Sequence, residues 1–275
     1  MALHDLQNPT GQNFSQSDYF DDIMARMNSS LDVIRQVFDS HRQPVHLEKK
    51  SDGSSLTRLD LEVCAALRSH LVKVEEGWIS EEDTPVERAS KERCLWVVDP
   101  IDGTREYVKG IPEYAVSIAS WVDECVAVGM IFNPVTEQIF VGGYRSGMPQ
   151  INITKNRTDR SKNIEHSPSI LVSRSEIESD SLWNNIESLP YRVIPCGSIA
   201  YKLGLMATHR TDAVVSLAPK SSWDIAAGTI LINAAGGFIT DLSGNEIQVE
   251  ELLRVNGIIA GKSELRDSLL DQFAV

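Results

Sequence analysis

The most constraining feature of this chain is an apolar run that ends abruptly in two acidic residues. Cys94–Val98 is uniformly apolar and is followed by Asp99 and Pro100, and then by Asp102. Such a run predicts a buried strand, and the proline predicts a turn at its end. The two carboxylates and the carbonyl of Ile101 would then converge on one point. Hard oxygen ligands of this kind are typical of Mg²⁺ sites.

The residues after Asp102 predict an anion-binding helix start. Gly103 and Thr104 would open a helix whose free backbone N–H groups and positive dipole end attract a phosphate. A plainer interpretation is that Asp99 and Asp102 only cap a helix after a strand, and such Asp pairs are common. The pair alone does not decide between the two interpretations.

Three further segments add candidate ligands. They are Ser80–Asp83, Trp223–Gly228 and the polar stretch Lys50–Asp60. Each has an ordinary explanation of its own: a solvated acidic loop, a helix N-cap at Asp224, and a loop capped by Asp60. No single segment decides the matter.

Charge and composition restrict the partners. The net charge of -13 argues against a nucleic-acid polymer or an anionic membrane as the main partner, because both require a basic face. An acidic chain that binds phosphate needs local cations, and bound metal is the obvious supply. We find no signal peptide and no apolar tract that would span a bilayer. Four widely spaced cysteines indicate buried thiols in a reducing compartment, so we expect a soluble, cytoplasmic protein.

Apolar periodicity predicts an α/β fold with an α+β N-terminal half and an α/β C-terminal half. An amphipathic helix is expected from Asp18, and a second helix near Asp60 with Leu61, Cys64, Leu67 and Leu71 facing inward. The later predicted elements are an antiparallel meander of strands at Val116–Trp121, Cys125–Phe132 and Gln138–Val141, further strands at Ile170–Val172, Ala213–Leu217 and Gly237–Thr240, and helices near Ile199–Ala207 and Asp224–Ala235. We expect a frayed terminus over 1–17, halves over 18–145 and 169–275, and a boundary loop over 146–168.

Taken together, these segments resemble the inositol monophosphatase superfamily of magnesium-dependent, lithium-sensitive phosphatases. The family's W-x-(V/I)-D-P-(I/L)-D-G-T motif stands complete at Trp96–Thr104. Its W-D-x-A-A-G signature stands at Trp223–Gly228, followed by Ala235–Gly237. Its Glu pair appears as Glu81–Glu82, and its K-x-D-x-S-x-x-T-x-x-D pattern at Lys50–Asp60. The order and spacing of the motifs match over nearly the whole chain.

The resemblance implies a layered αβαβα sandwich with two or three Mg²⁺ ions between its halves. The implied metal ligands are Glu81, Asp99, the Ile101 carbonyl, Asp102 and Asp224. The residues implied to activate water are Asp60 and Thr104. The backbone amides of Gly103 and Thr104 are implied to bind the phosphate. Because such ions lower the pKa of bound water to about 7, no Cys or His nucleophile is needed. The substrate would be a small phosphorylated metabolite, and a homodimer is possible because homodimers are common in the family. One departure is Asp83, which adds a charge that could favour a further metal.

Other residues resemble the 3′(2′),5′-bisphosphate nucleotidase branch of the superfamily. Arg105–Tyr107 and Glu113–Ala119 look like that branch, and so does Ser173–Ser175, although Glu176 stands where the branch has histidine. A carboxylate there is a poor neighbour for a second phosphate.

The segment that lines the substrate pocket in relatives contains Ser198 and Lys202. Lys202 and Lys220 are candidates to pair with a distal phosphate, although both could be ordinary solvated lysines. The favoured reaction is hydrolysis of adenosine 3′,5′-bisphosphate to AMP and phosphate. The alternatives are an inositol 1-phosphate, sugar phosphate or histidinol phosphate phosphatase and, more remotely, an inactive metal-stabilised binding protein.

Overall fold

The computed structural model of the protein describes most of the chain. It covers residues 6–7, 13–14, 16–41, 47–49, 55–83, 94–122, 126–145, 148–151, 167–179, 188–247 and 254–274. Several predictions lie outside these residues, namely those for Cys125, for Lys50–Ser54, and for most of the N-terminal segment and the boundary loop. Within the described residues, no helix combines the length and the apolar character that crossing a membrane requires.

The helices follow the apolar periodicity of the sequence. They are α1 Gln16–Ser40, α2 Arg58–Leu71, α3 Thr104–Val108, α4 Arg174–Ser179, α5 Ile199–Ala207, α6 Ser222–Ala234 and α7 Arg266–Phe273. As predicted, α1 buries one face, formed by Phe20, Ile23, Met27, Leu31 and Ile34. The prediction for Leu61 in α2 is wrong, because its side chain is 46% exposed. The buried stripe of α2 instead follows residues 59, 63 and 67, which lie four apart, and position 61 falls on the opposite face.

The strands form a mainly antiparallel sheet and a mixed sheet. They are β1 Leu6–Gln7, β2 Asn13–Phe14, β3 Leu47–Lys49, β4 Ser55–Thr57, β5 Glu76–Ser80, β6 Cys94–Asp102, β7 Ala115–Val122, β8 Val126–Asn133, β9 Gln138–Arg145, β10 Met148–Ile151, β11 Ser169–Ser173, β12 Arg192–Cys196, β13 Ala213–Ser216, β14 Lys220–Ser221, β15 Phe238–Thr240, β16 Arg254–Val255 and β17 Ile258–Gly261. The predicted meander is confirmed as β7, β8 and β9, whereas β5, β12 and β17 were not predicted.

Strand order places the two sheets as separate layers. The first sheet has the order β10-β9-β8-β7-β6-β5 and is antiparallel except where β5 runs parallel to β6. The second has the order β12-β11-β13-β17-β15, with β11 parallel to β12 and β13, and β17 antiparallel to β13 and β15. Short pairs join β1 to β2, β3 to β4, and β14 to β16.

Helices cover both sheets and fill the space between them. Helices α1 and α2 pack on the outer face of the first sheet, where they form one apolar core with it. Helices α5 and α6 lie between the sheets and form a second core with both. Helices α4 and α7 contact the second sheet, and α7 shares a third core with its outer face. The order of layers is therefore the expected αβαβα sandwich.

Candidate active site

The edge shared by β5 and β6 brings two acidic residues together. The strands run parallel with Ser80 opposite Val98, so Glu81 and Asp99 both follow directly after this pair. The amide of Glu81 also contacts the carbonyl of Val98 at 3.4 Å. The sequence predicted that the strand ends at Val98, but β6 continues to Asp102.

A bulge in β6 allows the strand to continue through its acidic motif. Asp99 pairs with Ser117 and Asp102 pairs with Ala115, so three steps along β6 match two steps along β7. The extra residue bends the strand locally and re-aims its side chains. The turn that Pro100 predicted at the end of the strand is therefore wrong, and a bulge inside the strand stands in its place.

Capping boxes orient the two acids that come from helices. Asp224 is the third residue of α6, and its Oδ2 accepts a hydrogen bond of 2.7 Å from the amide of the N-cap Ser221. Asp60 holds the same position in α2, with a 2.7 Å bond from the amide of the N-cap Thr57. The plainer interpretation, in which Asp224 is the N-cap of its helix and Asp60 only caps a loop, is wrong, because the N-caps of α6 and α2 are Ser221 and Thr57. A carboxylate at the third position reaches back to the N-cap amide, which fixes its rotamer.

Three carboxylates meet closely enough to share a cation. Asp99, Asp102 and Asp224 each offer a carboxylate oxygen, and these oxygens lie within 4.8 Å of one another. Asp99 is 1% exposed, and its Oδ1 accepts a 3.0 Å hydrogen bond from the amide of Ile101. Among the described residues, the buried Oδ2 of Asp99 has no hydrogen-bond partner. A buried carboxylate oxygen without a donor is costly unless a cation approaches it.

Burial and mutual repulsion hold these acids away from their ordinary titration range. Burial is the main reason that the pKa of Asp99 lies well above its usual value, and the neighbouring Glu81 and Asp102 raise it further. Burial also raises the pKa of Asp224 to about 7, with Asp102 as the next cause. The pKa of Asp102 is raised by burial as well. A divalent cation would offset this repulsion, and the donors are the hard oxygens that Mg²⁺ prefers, so the residues fit a metal site.

Asp60 and Thr104 form a pair next to the cluster. Thr104 Oγ1 lies 3.3 Å from Asp60 Oδ1 and 3.0 Å from the carbonyl oxygen of Ile101. Asp60 is almost fully buried, and burial raises its pKa above the ordinary value. The structure therefore brings together a hydroxyl, a carboxyl group that can take up a proton, and the carbonyl predicted to be a metal ligand.

Gly103 makes the transition from β6 to α3. Its φ is 93°, in the left-handed region that favours glycine. A Cβ at this position would lie 3.1 Å from the Cβ atoms of Ser198 and Tyr114. The expected helix after Gly103 is present, although α3 spans only Thr104–Val108.

A cavity of about 260 Å³ opens onto these groups. The predicted site residues that line it are Glu81, Asp99, Ile101, Asp102, Gly103, Thr104, Ser198, Lys220 and Asp224. The cationic side chains of Arg105, Arg174 and Lys220 also line it. Asp60 and Lys202, which the sequence analysis also selected, do not belong to the lining.

Ser198 faces a carboxylate as well as the cavity. Its Oγ donates a 2.5 Å hydrogen bond to Asp102 Oδ2, and the amide of Ala200 donates a second bond of 2.6 Å to the same oxygen. Ser198 Oγ also accepts from the amide of Tyr201 and so caps α5. The residue predicted to contact substrate thus holds a predicted metal ligand in place.

Lys202 lies behind the cavity wall. It is 1% exposed, and its Nζ donates to Ser173 Oγ at 2.7 Å and to the carbonyl of Cys196 at 3.3 Å. Burial lowers the pKa of Lys202 to about 8. This position does not favour the predicted direct ion pair with a distal phosphate, and a solvated lysine is excluded.

Lys220 is on the cavity wall, with Glu176 behind it. Lys220 Nζ donates to the carbonyl of Ala218 at 3.0 Å and lies 3.7 Å from Glu176 Oε1. Glu176 is buried, and it accepts hydrogen bonds from Ser216 Oγ and from the amide of Leu217. Glu176 does not line the cavity, so its carboxylate would not face a bound phosphate directly.

Asp83 is turned away from the site. Its Oδ2 accepts a 2.5 Å hydrogen bond from Trp78 Nε1 and lies 3.4 Å from Arg68 Nη1. It does not line the cavity, so the suggestion that it could favour a further metal is not supported.

One carboxylate that links separate segments near the site, Glu113, was not predicted from the sequence. Glu113 Oε2 accepts a 2.5 Å hydrogen bond from Arg174 Nη2 and a 2.8 Å bond from the amide of Gly197. The segments that contain Glu113 and Arg174 were selected only for their resemblance to one branch. Contact between them depends on the packing of the two halves, which no local pattern reveals.

Comparisons with known proteins identify the family of this chain. Residues 22–274 match the inositol monophosphatase family. The chain is 27% identical over 276 residues to inositol monophosphatase 3 of Solanum lycopersicum, an alignment that covers 94% of this chain and 97% of that protein. It is 28% identical over 244 residues to the inositol-1-monophosphatase of Mesorhizobium japonicum, covering 83% and 86% of the two chains.

A solved structure shares the fold. The extragenic suppressor protein suhB of Bartonella henselae superposes with a TM-score of 0.74 at 23% identity, over 91% of this chain and 98% of that one. At this identity the likeness concerns the fold alone. The family match extends from the first turns of α1 to the end of α7 and includes every acidic group of the site. This chain therefore belongs to the inositol monophosphatase family and is a phosphatase.

Proposed function

We propose that the protein hydrolyses a small phosphorylated metabolite with Mg²⁺ bound by Glu81, Asp99, the Ile101 carbonyl, Asp102 and Asp224. The observation that carries this proposal is the buried Oδ2 of Asp99, which lacks a hydrogen-bond donor among the described residues and lies among other carboxylates. The family is Mg²⁺-dependent in general. Two or three ions would suit this number of oxygen ligands.

Bound Mg²⁺ would supply the electrophilic chemistry, because it polarises a phosphoryl group and acidifies a bound water. The remaining roles fall to the chain. Asp60 and Thr104 orient the attacking water, and Asp60 takes up its proton, for which its raised pKa is suited. The amides of Gly103 and Thr104 at the start of α3 donate to the phosphate. Asp224 and Asp102 enter from different layers, so the packing of α6 against β6 sets their separation.

Cations on the cavity wall support a substrate with a second anionic group. Arg105, Arg174 and Lys220 line the cavity that also holds the carboxylate cluster. Among the described residues, Arg174 Nε is buried without a hydrogen-bond partner. A guanidinium with an unused donor suits a phosphate. We therefore propose 3′(2′),5′-bisphosphate nucleotidase activity, which converts adenosine 3′,5′-bisphosphate to AMP and phosphate.

Inositol 1-phosphate is the main alternative, because the relative from Mesorhizobium japonicum is named an inositol-1-monophosphatase and the one from Solanum lycopersicum an inositol monophosphatase. A sugar phosphate or histidinol phosphate is a further alternative. The binding-protein hypothesis predicts a missing ligand or a missing water activator, whereas each of these groups is present.

The test is phosphate release with Mg²⁺ from adenosine 3′,5′-bisphosphate, inositol 1-phosphate, fructose 1,6-bisphosphate and histidinol phosphate. We expect the highest kcat/KM for the adenosine bisphosphate. Lys220→Met should raise KM for this substrate by about tenfold, or about 1.4 kcal/mol, and leave inositol 1-phosphate little changed. Lys109→Met, at an exposed position after α3, is the matched control. A preference for inositol 1-phosphate would refute the nucleotidase proposal, and no release from any substrate would favour a binding protein.

The proposals for the state of association, the location and the halves rest on sequence alone. We propose a cytoplasmic homodimer. Size-exclusion chromatography with light scattering would measure the mass in solution and so distinguish a dimer from a monomer. We also propose the division into two halves at residues 146–168, although Met148–Ile151 within that stretch form β10 and pair with β9.

A further inference from the structure

The turn that precedes α5 has an unusual backbone. Ser198 has φ 46° and ψ 117°, although a side chain disfavours positive φ. This turn carries Ser198 Oγ and leads to the amide of Ala200, the two donors that hold Asp102 Oδ2. A strained conformation persists only where its surroundings over-determine it. The neighbours of the turn should therefore contain the groups that hold it.

Glu113 is the polar neighbour that fits this requirement. Its Oε2 accepts from the amide of Gly197, directly before the strained residue, at 2.8 Å. The same oxygen accepts from Arg174 Nη2 at 2.5 Å, which anchors the carboxylate to the start of α4. Glu113 precedes β7 in the first sheet, whereas Arg174 and Gly197 follow β11 and β12 in the second. The contact thus joins the two sheets at the turn.

Close packing leaves this turn little room to move. A Cβ on Gly197 would lie 2.3 Å from Glu106 Cγ and 2.7 Å from the carbonyl oxygen of Glu113. Gly103 also lies close to Ser198, because a Cβ on Gly103 would be 3.1 Å from the serine Cβ. The turn is therefore confined by packing and fixed in direction by the hydrogen bond from Gly197 to Glu113.

We propose that Glu113, anchored by Arg174, is a positioning residue for the metal ligand Asp102. It holds the Gly197–Ser198 turn, and the turn holds Asp102 Oδ2 through Ser198 Oγ and the amide of Ala200. Within the described residues both hydrogen bonds go to Oδ2, so the lone pairs of Oδ1 are available to a cation. This inference rests on the proposed metal site. Partners that orient a metal ligand commonly affect metal affinity by about 10- to 100-fold.

The test measures Mg²⁺ binding to the metal-free protein by isothermal titration calorimetry, without substrate. Glu113→Ala should raise the Mg²⁺ dissociation constant by about tenfold or more. Glu113→Gln, which keeps an oxygen for the Gly197 amide but loses the charge, should have a smaller effect. Glu178→Ala removes an exposed carboxylate from α4, the helix that begins with Arg174, and serves as the matched control.

A double-mutant cycle separates positioning from general loosening of the fold. Ser198→Ala should weaken Mg²⁺ binding by itself, and the Glu113→Ala/Ser198→Ala double variant should bind no more weakly than the worse single variant. Fully additive effects would overturn the inference, as would a folded Glu113→Ala variant that binds Mg²⁺ within twofold of the wild type. If Glu113→Ala does not fold, Arg174→Met replaces it in the same cycle. A wild-type protein that binds no Mg²⁺ would overturn the metal site itself, and this inference with it.

Discussion

Replacing Asp224 with Asn should stabilise the protein when metal is absent. The side chain is buried, and its pKa lies at about 7 instead of the ordinary 3.8, chiefly because of burial and then because of Asp102. Asn removes the charge and keeps an oxygen that can accept from the Ser221 amide, so the start of α6 remains capped. The substitution therefore isolates the electrostatic cost of the cluster.

The magnitude follows from the displaced pKa. The displacement is about three pH units at roughly 1.4 kcal/mol each, which gives an upper bound of about 4 kcal/mol for ionised Asp224. Asp102 shares this cost, and the buried amide of Asn has a desolvation cost of its own. We therefore expect a gain of about 2 kcal/mol, equivalent to a rise in Tm of roughly 3–4 °C in a chain of this size.

The pH dependence of the unfolding free energy is a second test of the predicted stabilisation. A carboxyl whose folded-state pKa is raised contributes stability that is fully present below pH 3.8 and is lost as the pH rises through about 7. The advantage of Asp224→Asn over the wild type should therefore be small near pH 4 and reach its full size by pH 8. With saturating Mg²⁺ the order should reverse, because bound ligand stabilises the fold that binds it better.

The assay is urea unfolding followed by circular dichroism in EDTA from pH 5 to pH 8, repeated with Mg²⁺. Asp271→Asn, on an exposed part of α7, is the control for loss of one negative charge. The reasoning is refuted if Asp224→Asn is less stable than the wild type at pH 8 in EDTA, or if its advantage does not decrease toward pH 5.

Three further substitutions test other parts of the structure. Asp99→Asn should lower kcat by roughly a thousandfold, which corresponds to about 4 kcal/mol in activation free energy, and should leave the circular dichroism spectrum unchanged. Near wild-type phosphate release with Mg²⁺ would contradict the assignment of Asp99 as a metal ligand. Arg26→Met leaves the carboxylate of Glu76, which is 10% exposed, without its bidentate partner and should cost about 3 kcal/mol in urea unfolding. Arg35→Met, at an exposed ion pair, should cost about 1 kcal/mol or less in the same assay. Gly103→Ala should cost about 1–2 kcal/mol in the same assay because its φ is 93°, and an unchanged midpoint would show that the β6–α3 turn relaxes.

Local patterns predicted the parts of the site that depend on strand ends and helix starts. The apolar run before Asp99 was correctly predicted as a buried strand, and the helix starts near Asp60 and Asp224 were predicted from the polar residues before each apolar periodic stretch. These features are determined within a few residues, so a sequence reveals them. The bounds Ile199–Ala207 predicted for α5 were correct for the same reason, since its apolar run ends where polar residues follow.

Features set by packing between layers could not be predicted in this way. Lys202 lies in a helix between the two sheets, and nothing near it in the sequence indicates complete burial beside Ser173. Glu113 and Arg174 are 61 residues apart, and their contact depends on how the second sheet docks on the first. Lysine and glutamate side chains are usually solvated, so residue type alone predicts exposure at both positions and not burial or a contact between segments.

The acidic composition and the phosphate chemistry are reconciled by where the charges lie. The chain carries a net charge of -13, yet the cavity combines the carboxylate cluster with Arg105, Arg174 and Lys220 on its walls. Asp224 approaches the cluster from α6, which packs between the sheets, whereas Asp99 belongs to the first sheet. The repulsion between these acids therefore opposes the docking of the layers, and a cation that binds them favours it. Metal affinity and the stability of the interface between the sheets are then linked, so each should change with the other.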